Sequence, residues 1–245
     1  KPDENLLMAG ARLTNEELYL INKLGRAAIK TNNVASFHYL NRGKNYWHPN
    51  IAQYPLDKID EAGKFTIIGT QINQDYAVLG YKMINANFKY QTPISLIYRY
   101  QYHSMLSKAS ESLQVMSYYA LFKAVNFHLI KNKKVKPDAI EGGKQYAEHL
   151  LNESFTSLLN QSGVELDDIL NLADDLLGTE KNVLVFSEKE LSSNAVQELY
   201  NLYMLTGVAS RGGGIIAVRE KNNATGLFQL GIEPSLGIGS LSVMD

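Results

Sequence analysis

Strand-length apolar runs that alternate with helix-length stretches restrict this chain to a small set of folds. Phe65 to Gly69 is short, apolar and closed by a glycine, and Pro93 to Tyr98 is a second such run. Asp75 to Phe88 between them has the length of a helix. Strand, helix and strand in that order form a crossover unit, and a crossover joins parallel neighbours. A second module lies near the C-terminus. Val183 to Phe186 reads as a buried strand. Ala195, Val196, Leu199, Leu202 and Leu205 share one helical stripe that ends near Gly207, and Ile215 to Val218 is the next strand. The expected fold class is α/β, a mostly parallel Rossmann-like sheet flanked by helices. The 245 residues suit one composite domain, 1–245, with a candidate sub-boundary near residues 131–142.

Other segments fill in around these modules. Thr14 and Glu17 have capping-box spacing and predict a helix to about Lys30. Val34 to Leu40 reads as a short strand, and Asn41 to Ala62 as a long loop holding the single tryptophan, Trp47. Leu113 to Ile130 reads as one long apolar helix. The lysines Lys131, Lys133, Lys134 and Lys136 read as its solvated, dipole-favoured end. Helices follow around Gly143 to Leu151 and from Glu165 to Leu177. Asp174 and Asp175 near the end of the last one read as surface carboxylates, because adjacent residues on a helix do not face each other. Asn222, Asn223, Gly226, Gly231 and Pro234 predict a folded-back loop rather than another regular element.

Composition excludes several functions. A net charge of −1, from 24 basic and 25 acidic residues, gives no reason to expect nucleic acid or an anionic membrane as partner. No stretch approaches the ~20 apolar residues of a membrane span, and the N-terminus lacks a signal-peptide layout, so a cytoplasmic location is expected. It also lacks an initiator Met, as a piece of a longer protein would. The absence of cysteine removes disulfides, thiolate catalysis and cysteine-held metal clusters from these residues. The five histidines, His38, His48, His103, His128 and His149, are dispersed and lack metal-ligand spacing. No G-x-S-x-G elbow marks a nucleophile.

Four places remain as candidate sites. Gly69, Thr70 and Gln71 lie where a parallel strand ends, which is where open α/β sheets bind ligands. Arg99 follows the next strand, within the alternating tyrosines Tyr98, Tyr100 and Tyr102, which read as an aromatic strand edge for a base or another domain. Arg211, Gly212 and Gly213 open a glycine run that either cradles a phosphate with backbone N–H groups or simply turns the chain. Asn222 and Asn223 beside Arg219 and Lys221 either bind an anion or cross-link loops.

The order and spacing of these motifs resemble the large subunit of molybdopterin oxidoreductases. The likeness rests on Arg12-Leu13-Thr14-Asn15-Glu16-Glu17, on Thr31-Asn32-Asn33, on Thr66 to Gly69 with Val78-Leu79-Gly80, and on the strand–helix–LTG–glycine module continuing through Asn222-Asn223 to Pro234. It covers most of the chain and thins between about Ser104 and Leu159. The nearest branch is the large peripheral-arm subunit of bacterial NADH:quinone oxidoreductase, respiratory complex I; formate dehydrogenases are a second. The first branch implies a structural domain within NADH-to-quinone electron transfer. Its iron–sulfur clusters would lie elsewhere in the parent protein, and its partners would be the iron–sulfur domain of that chain and other oxidoreductase subunits. No cofactor, nucleic acid or direct membrane insertion is then expected for this piece. The second branch implies a molybdopterin guanine dinucleotide near Gly69, Thr70, Gln71, Arg99, Arg211, Gly212, Gly213, Asn222 and Asn223. In that branch the first loop reads G-x-N-P and the second carries Asp-Pro-Arg. Here they read Gly69-Thr70-Gln71-Ile72 and Ile97-Tyr98-Arg99, without those elements.

Overall fold

The computed structural model describes residues 1–40, Tyr46, His48, Ile51 and residues 53–233. Trp47 and Pro234 lie outside the described residues. In chain order the elements are β1 (Leu7–Met8), α1 (Asn15–Lys23), β2 (Val34–Ala35), α2 (Phe37–Leu40), β3 (Lys64–Ile68), α3 (Ile72–Asp75), α4 (Ala77–Tyr90) and β4 (Ile94–Tyr98). They continue with β5 (Glu111–Gln114), α5 (Tyr118–Lys131), α6 (Gly143–Leu151), α7 (Phe155–Ser162), α8 (Leu166–Gly178), β6 (Asn182–Ser187), α9 (Ser193–Thr206), β7 (Gly214–Val218) and α10 (Ala224–Gln229). The chain divides into two units, Lys1–Trp47 with Arg219–Asp245, and His48–Val218. The division does not fall near residues 131–142.

The smaller unit is built on α1. Thr14 Oγ1 accepts from the Glu17 amide at 3.3 Å, and the Glu17 carboxylate accepts from the Thr14 amide at 2.8 Å, so the capping box forms as its spacing predicts. The helix continues through a π-helical turn, Leu24–Ile29, and stops at Lys30 in the left-handed region, φ 62°. β1 and β2 pair in parallel. Leu18, Val34, Ala224, Leu227 and Ile232 form the core. Asn22 donates to the Leu230 carbonyl, and Arg26 donates to those of Gly231 and Glu233 at 2.9 and 3.2 Å. These bonds hold the returning C-terminal segment.

Two expectations fail in this unit. Val34 to Leu40 is a two-residue strand followed by a helix, not one strand. The glycine- and asparagine-rich stretch expected to be a loop contains α10, whose Leu227 and Phe228 are buried. Burial of those two side chains outweighs weak local propensity.

The larger unit is a five-stranded parallel sheet in the order β5-β4-β3-β6-β7, with helices packed on it, as the α/β expectation requires. β3 is central, and all five of its residues are buried. On one face Phe65, Ile67, Ile94, Leu96, Val183 and Val185 pack with Ile72, Met83 and Ala86. At about 25 cal/mol per Å², each such buried side chain contributes roughly 1.5–3 kcal/mol.

The long helix expected from Leu113 is replaced by β5 and a later start for α5 at Tyr118, where Ser117 Oγ accepts from the Ala120 amide at 3.3 Å. Glu-Ser-Leu-Gln carries no apolar strand pattern. It is an edge strand recruited by pairing with β4, Ser95 opposite Glu111. α7 was not singled out in the sequence either. Asp138 to Gly163 holds two helices where one was expected.

Asp174 and Asp175 have partners outside their own helix. Asp174 meets Lys134 at 2.5 Å, and Asp175 meets Lys64 at 2.7 Å. The Lys64 side chain is only 7% exposed and also meets Glu111 at 3.1 Å. Serial ion pairing thus ties the amino end of β3 to the edge strand and to α8. Removing one partner of a buried pair strands the other, at roughly 3–5 kcal/mol when both are buried. Because Asp175 is partly and Glu111 largely exposed, Lys64→Ala should cost about 2 kcal/mol in urea unfolding. Lys64→Met, which restores the packing of the stem, should cost less.

Candidate functional site

The strand order reverses at β3. The chain runs from β3 outward to β4 and β5, then returns to lay β6 against the other edge of β3. The carboxyl ends of β3 and β6 are therefore the switch point of the sheet, the place where open α/β sheets have their ligand crevice. Three loops supply its residues: Gly69 to Asp75, Arg99 to Ser110, and Glu188 to Leu191.

Gly69 is required on two counts. Its φ is +70°, and a Cβ on it would lie 2.7 Å from Tyr118 Oη and 3.1 Å from Glu190 Oε2. That close approach puts the Tyr118 hydroxyl and the Glu190 carboxyl on one side of the Gly69 backbone. Thr70 is buried. Its carbonyl accepts from His103 Nε2 at 2.8 Å, while His103 Nδ1 accepts from the Met105 amide at 3.1 Å. This pair of bonds fixes a neutral His103 with its proton on Nε2. Burial lowers the His103 pKa, and the Thr70 carbonyl opposes that shift. Gln71 donates to the Tyr102 carbonyl at 3.2 Å and accepts from the Ser104 amide at 3.0 Å. Gln71 and His103 therefore staple the loop after β4 to the loop after β3.

The side chains left over are polar. Thr70 Oγ1, Asn73 Oδ1 and Ser104 Oγ are buried at this end of the sheet without a hydrogen-bond partner among the described residues. Tyr76 Oη and Ser187 Oγ lie 3.0 Å apart, and Lys189 pairs with Asp75 at 2.7 Å. Glu190 is pushed up to about 7, first by burial and then by the negative charge of Asp75, against the pull of Lys189. Burial, then the charge of Glu190, raises the Tyr118 hydroxyl. The crevice thus presents a carboxyl that exchanges its proton near neutral pH beside a phenol that keeps its own. Glu190 and Tyr118 were not singled out in the sequence. The only available signal was their position, Glu190 after one strand and Tyr118 at the start of the helix after another.

The nine sequence candidates separate. Gly69, Thr70, Gln71 and Arg99 come together at the carboxyl ends of the strands. Arg99 is exposed there, and its carbonyl accepts from Gln114 at 3.5 Å. Arg211, Gly212 and Gly213 precede β7 and so lie at the opposite, amino end of the sheet. The Arg211 guanidinium is spent on three carbonyls: Thr206 at 2.7 Å, Leu176 at 2.5 Å and Thr179 at 3.4 Å. Gly212 has φ +73°, and a Cβ on Gly213 would lie 2.3 Å from the Asn182 carbonyl oxygen. This is a turn closed on its own neighbours. In the smaller unit Asn223 donates to the Leu13 carbonyl at 2.7 Å and to Asn15 Oδ1 at 3.0 Å, and Asn222 is exposed. The tyrosine alternation does not form a strand edge. β4 stops at Tyr98, while Tyr100 and Tyr102 are 61% and 66% exposed in the following loop. No group of three histidines or carboxylates placed to hold a metal ion occurs among the described residues. No helix among them is long and apolar enough to cross a membrane.

Two measurements follow from this geometry. A carboxyl whose folded pKa is raised contributes stability that is complete below its ordinary pKa of 4.5 and lost as pH rises through about 7. Glu190→Gln should therefore flatten the decline in unfolding free energy between pH 4.5 and 8. Its gain at pH 8 should be roughly 1–2 kcal/mol after discounting for solvent at a half-buried group. Arg211→Met should cost about 2–3 kcal/mol in urea unfolding, since it orphans carbonyls that bond a cation. Arg211→Lys should recover only part of this loss, because an ammonium lacks the planar fork.

No family model matches the sequence. The chain is 28% identical over 239 residues to the NADPH-Fe(3+) oxidoreductase subunit alpha of Geobacter sulfurreducens, covering 91% of this chain and 28% of that one. It is 22% identical over 268 residues to a Staphylococcus aureus protein named "Putative formate dehydrogenase", covering 99% of this chain and 26% of that one. The chain thus spans little more than a quarter of the length of these relatives. Among solved structures, acetylene hydratase from Pelobacter acetylenicus shares the fold with a TM-score of 0.66 at 12% identity, covering 86% of this chain and 30% of that one.

Proposed function

We propose, from likenesses that fit the molybdopterin oxidoreductase family, that this chain is a structural α/β domain of a large oxidoreductase subunit. In this reading it carries no redox centre of its own. It supports the segment of the parent chain that holds the electron carriers, in the manner of the large peripheral-arm subunit of NADH:quinone oxidoreductase. The observation that carries the reading is the use of Arg211. The one arginine–glycine turn with the composition of a phosphate cradle has its guanidinium committed to three backbone carbonyls and its glycine face closed by Asn182.

The same residues fit a pterin-guanine dinucleotide poorly. Arg211 to Gly213 and the Gly69–Arg99 crevice stand at opposite ends of the sheet, so one ligand lying in the crevice does not reach the turn. The aspartate of the resembled cofactor binders is missing from the loop after β4, and neither Tyr98 nor Tyr100 replaces its charge. The 245 residues contain no cysteine, so a cysteine-held cluster or a cysteine ligand to molybdenum must come from elsewhere in the parent.

The second reading, a formate dehydrogenase-like cofactor domain, has one observation in its favour. The switch-point crevice keeps an obligatory glycine at Gly69, unpartnered polar atoms and a proton-exchanging carboxyl at Glu190. In that reading Glu190 supplies the carboxylate missing from the loop after β4, from the other side of β3.

Metal analysis of the natively purified parent protein separates the two. Iron without molybdenum or tungsten is the expected result. Stoichiometric molybdenum or tungsten would overturn the structural reading in favour of the second, and the absence of all three metals would count against both.

A further inference from the structure

The unit formed by Lys1–Trp47 with Arg219–Asp245 has a cavity of its own, about 490 Å³, at the carboxyl ends of β1 and β2. That volume lies in the ordinary range of small-molecule sites. Arg12, His38 and Lys221 line it together with Gly10, Ser36 and Phe37, and no carboxylate among the described residues does. Arg12 is exposed and has no acceptor among the described residues. Lys221 meets only its neighbour Glu220, at 3.2 Å, which offsets part of its charge. Ser36 is 7% exposed; its oxygen accepts from the His38 amide at 3.3 Å, and its hydroxyl proton has no acceptor among the described residues. A buried hydroxyl proton without an acceptor, beside an unpaired guanidinium, is a set of donors aimed at an anion.

Two further features describe what the anion is attached to. The Phe37 ring is 75% exposed at this pocket, and Met8 also lines it. An exposed aromatic face beside a cationic floor suits a flat apolar group. Gly10 leaves open space: a Cβ there would meet no atom within 4 Å. The backbone at Gly10 is therefore a free wall of the cavity rather than a packing contact.

We propose that this pocket binds a phosphate monoester with a ring on its alcohol side. Arg12, Ser36 and Lys221 hold the phosphate oxygens, and the ring lies on Phe37. A phosphate is favoured over a carboxylate because three separate donor groups from two strand ends and the C-terminal segment match three terminal oxygens, where a carboxylate has two. The dianion also suits two permanent cations. This assignment stands apart from the oxidoreductase reading, because it uses neither the crevice at Gly69 nor the turn at Arg211.

The test is calorimetric titration of the full 245-residue chain at low ionic strength with two probes, phenyl phosphate and inorganic phosphate. Phenyl phosphate should bind more tightly. Arg12→Gln should weaken both probes by about tenfold, the worth of one charge-assisted hydrogen bond. Phe37→Ala should weaken phenyl phosphate alone. Gly10→Leu should abolish both, by placing a side chain in space that is otherwise open. Arg12, Phe37 and Gly10 pack against little, so circular dichroism of each variant should match the parent chain. The proposal is overturned if neither probe binds, if Arg12→Gln binds as the parent does, or if the two probes bind equally.

Discussion

A strand buried on both faces has no solvent to satisfy its peptide groups, so both of its edges must be paired. β3 meets that condition with β4 on one side and β6 on the other, in continuous parallel register. The rest of the larger unit follows from it. The chain leaves β3 in one direction, fills that half of the sheet, and must return across the far side to supply β6. The return takes α5 to α8, which is why so many helical residues lie between β5 and β6. The reversal also makes the strand ends at Gly69 the switch point of the sheet. A central strand with neighbours laid down in opposite directions cannot have its two exits covered by the same loop.

Polar side chains in this unit work mainly at its two ends, and the ends differ. At the amino end Lys64 and Arg211 are satisfied: one joins β3 to the edge strand and α8, and the other gathers carbonyls from the ends of α8 and α9. At the carboxyl end some groups are consumed and others are not. Gln71 and His103 fix one loop on another, whereas Thr70 Oγ1, Asn73 Oδ1 and Ser104 Oγ have no partner among the described residues. Leaving such groups unpaired costs about 1–3 kcal/mol each, so they mark a place where packing alone does not explain the sequence. The two ends of the sheet thus carry different kinds of polarity, paired at the amino end and partly unpaired at the carboxyl end.

Local chemistry was sufficient wherever a segment's own side chains decide its state. The apolar runs at Phe65, Pro93, Val183 and Ile215 became strands, and the Thr14–Glu17 box capped its helix. The helix before Gly207 stopped there in the left-handed conformation. The α/β class and the parallel sense follow from those elements and their order. The missed elements are those whose state is set by a neighbour. Glu111 to Gln114 is a strand only because β4 offers an unpaired edge, and Ala224 to Gln229 is a helix because Leu227 and Phe228 have a core to enter.

The candidate sites divide along the same line. Sequence placed Gly69, Thr70, Gln71 and Arg99 at a strand end, because that follows from where an apolar run stops. The parallel order already puts Arg211, which precedes β7, at the other end of the sheet, so grouping it with them rested on the resemblance and not on the strand pattern. Sequence could not find Glu190 or Tyr118, which lie 121 and 49 positions from Gly69 in the chain and meet it only through the return crossover. What the sequence by itself determined was the identity of the elements and the loops at their ends. Which side chains face one another across those loops was decided by the tertiary structure, because long-range pairing brings together charges and hydroxyls that no local rule relates.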